Sequence, residues 1–117
     1  MTIRVSSLWT WQLTGKTKMT VKPAYIIVDV DITDTEAYEQ YKKLAKPLAE
    51  SFGGEYLTRG GEMDVIQNEL WTPTRIVIVK FPSLQAARDF INSPEYEPVK
   101  AIRMKNSAGT LAIIEGI

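Results

Sequence analysis

The segment Arg75-Ile-Val-Ile-Val-Lys-Phe81 is almost unbroken β-branched and aliphatic sequence, entered through a turn at Thr72-Pro73-Thr74. A run of this length and composition reads as a strand with apolar side chains on both faces. Ile76 and Ile78 project to one side, and Val77, Val79 and Phe81 to the other. A fold that contains it must cover both sides of a sheet. Ala24 to Ile32 repeats the pattern, with Ala24, Ile26, Val28, Val30 and Ile32 on one face and Tyr25, Ile27 and Asp29 on the other. These two runs are the expected core strands.

The rest of the chain supplies cover for one face only. Thr33-Asp-Thr-Glu36 fits a capping box on Thr33, with Asp34 as the alternative cap. Behind it Ala37, Tyr41, Leu44, Ala45, Leu48 and Phe52 form an apolar helical stripe. Pro47 is expected to kink that helix, and Gly53-Gly54 to end it. Glu55 to Arg59 reads as a short strand and Asp64 to Leu70 as a further extended piece, both at sheet edges. A helix over Leu84 to Ile91 is broken at Asn92-Ser-Pro94 and followed by a short helical stretch within Glu95 to Lys105. Gly109 to Ile117 is the last strand. The order strand, helix, strand, strand, helix, strand predicts an α+β fold, a ferredoxin-like βαββαβ antiparallel sheet with its helices on one face. The first and third strands are then central, and the uncovered face is an apolar patch that implies a homodimer pairing sheet to sheet.

Residues 23 to 117 make up this domain, and residues 1 to 22 an N-terminal extension. Ile3, Val5, Trp9, Trp11 and Leu13 alternate with polar residues. That period predicts a strand-like arm over 3 to 13, with Thr14 to Lys18 as a polar linker; a start at Met19 is the competing reading.

Composition narrows the chemistry. Lys plus Arg and Asp plus Glu balance at 14 each, so no net field gathers nucleic acid or a membrane surface. Cysteine and histidine are both absent, which excludes disulfides, thiolate nucleophiles, a Ser-His-Asp triad, and the usual zinc, haem and non-haem iron ligand sets. Neither cofactor nor metal is expected, and the lack of cysteine agrees with a cytoplasmic, reducing location. Proton transfer, if any, falls to Asp, Glu, Tyr or Lys.

The pattern Tyr41, Phe52-Gly-Gly54, Arg59-Gly-Gly61, Trp71-x-Pro73-x-Arg75, Phe81, Ala87, Ser93-x-Glu95-Tyr96, Arg103 and Glu115-Gly116 resembles the domain of unknown function 1330 family, in the dimeric α+β barrel superfamily. The resemblance spans roughly residues 24 to 117 and implies ferredoxin-like subunits paired into a barrel. It carries no group-wide activity. One departure is Asn68-Glu69-Leu70, where the family usually has Glu-Gly, so an acidic role there is shifted to Glu69 or lost.

The candidate ligand-binding residues are Tyr41, Arg59, Glu69, Trp71, Arg75, Tyr96 and Arg103. A guanidinium at the mouth of an apolar cavity grips a carboxylate bidentately, which suggests a small organic acid in the barrel or subunit cleft. The alternative is that Arg75 pairs with Glu69, Glu95 or Glu115 in a non-catalytic structural or protein-interaction dimer.

Overall fold

The computed structural model describes residues 21–117. The expected arm and linker within residues 1 to 18 lie outside the described residues. The elements run β1 (Ala24–Ile32), α1 (Thr35–Ser51), β2 (Glu55–Arg59), β3 (Ile76–Phe81), α2 (Leu84–Ile91), α3 (Tyr96–Asn106) and β4 (Ser107–Glu115). The strands form one antiparallel sheet in the order β2-β3-β1-β4. This is the ferredoxin-like arrangement with its second helix divided in two. The division is built by Ser93, a buried residue whose hydroxyl donates to the Phe90 carbonyl and accepts from the Tyr96 amide.

Strand alternation separates two environments. On the helix side, Ala24, Ile26, Val28 and Val30 of β1 and Val77, Val79 and Phe81 of β3 are buried against Ala45 and Ala49 of α1, Ala87 and Phe90 of α2, and Tyr96 and Val99 of α3. Phe81 stacks on Phe90 with ring centroids 5.6 Å apart, and Phe90 meets Tyr96 at 4.7 Å. These ring contacts join the sheet to both halves of the broken helix. On the other side, register places Tyr25, Ile27 and Asp29 beside Lys80, Ile78 and Ile76, and beside Ile114, Ala112 and Thr110. Among the described residues no helix covers that face.

Three local expectations need correction. Asp34, not Thr33, caps α1, its carboxylate accepting from the Ala37 amide at 3.0 Å; the amides of Thr33 and Asp34 are turned to the carbonyl of Asn106 at the end of α3. The buried stripe of α1 is centred on Tyr38, Ala45 and Ala49, and Leu44 is exposed. The close backbone approach of α1 is to α3 rather than to the sheet. Pro47, where a kink or a fresh turn was expected, lies inside a helix that continues to Ser51, on its exposed side. Asp64 to Leu70 is not a strand: β3 already has β2 and β1 as neighbours, so the segment finds no free edge beside the strand it leads into. It stays exposed and irregular. Gly53 ends α1 with φ 91°, the left-handed stop expected there.

Candidate functional site

A cleft opens between α1 and the helix side of the sheet. Its floor is Ile26, Val28, Val77 and Val79, and Tyr38, Tyr41 and Ala45 of α1 form one wall. Arg59 from the end of β2 and Arg75 from the start of β3 stand at the rim, and Phe90 and Tyr96 close the back. The cleft is narrow, with a cavity volume of about 40 Å³, room for a few water-sized groups.

The position of Arg75 is set from the opposite face of the sheet. Asp29 lies on the open side of β1, and one of its carboxylate oxygens accepts from the backbone amides of Thr74 and Arg75 at 2.9 and 2.8 Å. The other oxygen accepts from the Trp71 indole at 2.6 Å. Ile76 pairs with Asp29 on the open face, so alternation sends the preceding Arg75 side chain to the helix side. There its guanidinium carbon lies 6.0 Å from the centre of the Tyr38 ring. Gly60 makes room for it: the glycine has φ 72°, and a Cβ at that position would stand 2.7 Å from Arg75 Nε. Arg59 lies 5.3 Å from the centre of the Tyr56 ring.

Deeper in, the hydroxyls of Tyr41 and Tyr96 are 2.9 Å apart, and Arg103 Nε donates to the Tyr96 oxygen over a longer 3.4 Å. Arg103 is only 8 % exposed. Such burial is costly for a cation without a counter-ion, yet the ion pairs among the described residues are Lys42 with Glu39 and Lys46 with Glu50. No described carboxylate is within ion-pair distance of Arg59, Arg75 or Arg103. Burial pushes the Tyr56 hydroxyl up to about 12 against the pull of Arg59. Burial likewise raises Tyr38, opposed first by Arg75 and then by Arg103. The tyrosines therefore remain neutral hydrogen-bonding groups at physiological pH.

Of the residues singled out from sequence, Tyr41, Arg59, Arg75 and Tyr96 line the cleft, and Arg103 is attached to it through Tyr96. Glu69 and Trp71 are elsewhere. Glu69 accepts from Gln67 in the exposed connection between β2 and β3, and Trp71 borders a shallow hollow on the open face with Ile27, Asp29, Thr110 and Ala112. Arg75 is partly buried, as expected, but the expected carboxylate neighbour is not there: Glu69 is held with that connection, and Glu95 and Glu115 are exposed. Sequence reasoning left Asp29, Tyr38, Lys42 and Tyr56 out of the candidate set. A carboxylate flanked by Val28 and Val30 inside an apolar strand was the available signal for Asp29. Among the described residues no group of His, Cys, Asp and Glu could hold a metal ion, and no helix is long and apolar enough to cross a membrane.

The family model for the domain of unknown function DUF1330 matches residues 23–117. The chain belongs to the DUF1330 family. In this member, the family's Trp-x-Pro-x-Arg segment is the stretch that Asp29 holds. No curated protein matches the chain in sequence. Among solved structures, a protein of unknown function from Rhodopseudomonas palustris, RPA0582, is similar at 20 % identity with a TM-score of 0.65, over 82 % of this chain and 83 % of that one. SnoaB from Streptomyces nogalater, described as a cofactor-independent oxygenase, is similar at 8 % identity and TM-score 0.60, over 83 % of this chain and 95 % of that one. A conserved protein from Bacteroides thetaiotaomicron, described as a possible oxidoreductase, has 13 % identity and TM-score 0.51, over 81 % and 98 %. At these identities the structural likeness is one of fold.

The Asp29 contacts set an acid limit on stability. Partial burial alone would raise its carboxyl, but the donors Trp71, Arg75 and Thr74 outweigh it and hold the group below the usual range. A folded value below the unfolded one stabilises the protein above about pH 4, and that contribution is lost as pH falls through the folded value. Asp29→Asn is expected to lower the melting temperature at pH 7 by several degrees. Urea unfolding of both proteins between about pH 6 and 2 should show the gap narrowing as acid protonates Asp29. A gap that stays constant over that range would contradict the account.

Proposed function

We propose that the cleft binds a small organic anion, with Arg59 and Arg75 taking its acid group at the rim and Val28, Val77 and Val79 packing its apolar body. The observation carrying this reading is the convergence of Arg59, Arg75 and Arg103 on a tyrosine-lined cavity with no described carboxylate in ion-pair distance of them. Guanidinium groups near a low-dielectric wall gain most from an anion that enters with apolar atoms attached, because ligand and protein lose water together. The SnoaB neighbour, described as a cofactor-independent oxygenase, indicates that this scaffold is compatible with small-molecule chemistry.

Thermal shift with a panel of small aliphatic and aromatic carboxylic acids tests the reading. A ligand at about 100 times its dissociation constant adds about 2.7 kcal/mol of stability, so a saturable rise of several degrees is expected for the best acids. Arg75→Gln and Arg59→Gln should each weaken binding by about tenfold or more, the effect of losing a charge-assisted hydrogen bond. No shift across the panel, or one that both variants leave unchanged, would refute the cleft as an anion site.

A second reading, a non-catalytic dimer acting through stability or protein contact, is favoured by the open sheet face. Ile27, Ile76, Ile78, Ala112 and Ile114 share that face without helical cover. Both readings entail a homodimer joined through these faces, which would bury a patch of the kind that monomers seldom leave exposed. Light scattering should give about twice the 13.2 kDa of the chain. Ile78→Lys, in the middle of the face, should shift the protein to monomer. A monodisperse wild-type monomer at micromolar concentration would contradict the pairing.

A further inference from the structure

The protons of the Arg103, Tyr96 and Tyr41 group can be placed by elimination. The two hydroxyls are 2.9 Å apart, and either oxygen could be the donor on distance alone. Arg103 has no acceptor atom, so at its contact with Tyr96 it can only donate. Were Tyr41 to donate to Tyr96, the Tyr96 oxygen would accept twice. Its own proton would then face a core in which that residue is 1 % exposed and has no further partner among the described residues. Reversing the bond removes the conflict: Tyr96 accepts from Arg103 and donates to Tyr41. Receiving from a cation also strengthens a hydroxyl as a donor, so the polarity runs in one direction. The remaining proton belongs to Tyr41, which lines the cleft and is partly exposed there. Burial, then the adjacent Tyr96, raise the Tyr41 hydroxyl above its ordinary value, so it is a donor at any physiological pH.

A second observation points the same way. The Tyr38 residue is 2 % exposed and lines the same cleft, and its hydroxyl has no hydrogen-bond partner among the described residues. Its ring centre lies 6.0 Å from the Arg75 guanidinium carbon and 5.1 Å from the Tyr41 ring centre. The cation at the rim and the donor within border the same apolar floor of Ile26, Val28, Val77 and Val79.

From this geometry we infer the ligand class: an oxo acid whose carboxylate meets Arg59 and Arg75 and whose second oxygen, a carbonyl across an apolar or aromatic spacer, accepts from Tyr41. Tyr96 and Arg103 act as positioning residues that aim the Tyr41 proton. The inference rests on the anion-binding reading above and adds the second acceptor to it.

A matched pair of probes separates the two. 4-Acetylbenzoate carries a carbonyl where 4-isopropenylbenzoate carries a methylene of nearly the same shape, and calorimetry measures both. The wild-type protein should bind the acetyl compound about tenfold more tightly, the worth of one hydrogen bond in a sheltered site. Tyr41→Phe should bring the pair to equal affinity while keeping the affinity for the isopropenyl compound. Tyr96→Phe, which leaves the Tyr41 hydroxyl in place but undirected, should reduce the ratio in part. Arg75→Gln should weaken both probes alike and preserve the ratio. Equal wild-type affinities that still depend on Arg75 would overturn the oxo-acid inference and leave the anion site standing. Binding of neither probe would overturn both. The wild-type ratio decides the matter even if a tyrosine variant folds poorly.

Discussion

Asp29 lies in the middle of the central strand, on the side of the sheet away from the helices, and its carboxylate gathers three donors from one short stretch of chain. The consequences appear on the other face. Holding the amides of Thr74 and Arg75 fixes where the long connection ends and β3 begins, and with that the alternation of every residue from Arg75 to Phe81. A slip of one residue would turn Val77, Val79 and Phe81 out of the core and Arg75 out of the cleft. One carboxylate thereby sets the register of the core and the position of a cation at the rim. The Trp71 indole extends the same hold to the beginning of the turn.

The cleft itself combines two requirements that ordinarily conflict. Its apolar floor is continuous with the core built around Phe81, Phe90 and Tyr96, so it stays open only where bulky side chains prop it. Tyrosines do this propping. Tyr38 packs against Tyr41 and turns its ring toward Arg75, and Tyr56 does the same for Arg59. An aromatic face compensates part of the cost of the half-buried Arg75 guanidinium, and another lies beside the exposed Arg59, but neither is neutralised. That residual positive charge, next to apolar surface and neutral hydroxyls, is what the proposed anion with an apolar body would meet.

Much of the fold was legible because its signals were strong and local. Two-sided apolar runs identified β1 and β3 as central, and Asn92-Ser-Pro94 marked the division of the second helix. The ferredoxin-like order placed Arg59, Arg75 and Arg103 on segments that could meet near one end of the sheet, and the tyrosines were nominated separately as hydroxyl donors. What sequence could not resolve depended on tertiary placement. Asp64 to Leu70 has enough extended character to suggest a strand, but the neighbour it needed was already paired. Leu44 and Tyr38 both suit the buried face of α1, and the choice between them is a rotation of the helix that only its tertiary packing decides. Glu69 and Trp71 are near Arg75 in sequence, yet the turn and the strand period leave them outside the cleft, Trp71 on the opposite face. Asp29 was read as one polar residue of the open face; its task became visible only when the amides of the connection were seen to converge on it.

The central claim is that the arginines of the cleft are held ready for an anion rather than spent on structural pairs. Titration of the protein with benzoate, followed through the Nε–H resonances of its arginines by NMR, tests it most directly. Arg59 and Arg75 should shift together along one saturable curve, while Arg88, exposed on α2, should barely move. Shifts that fail to saturate, or that are as large at Arg88 as at Arg75, would show only the weak surface screening that any cation undergoes, and would contradict the account.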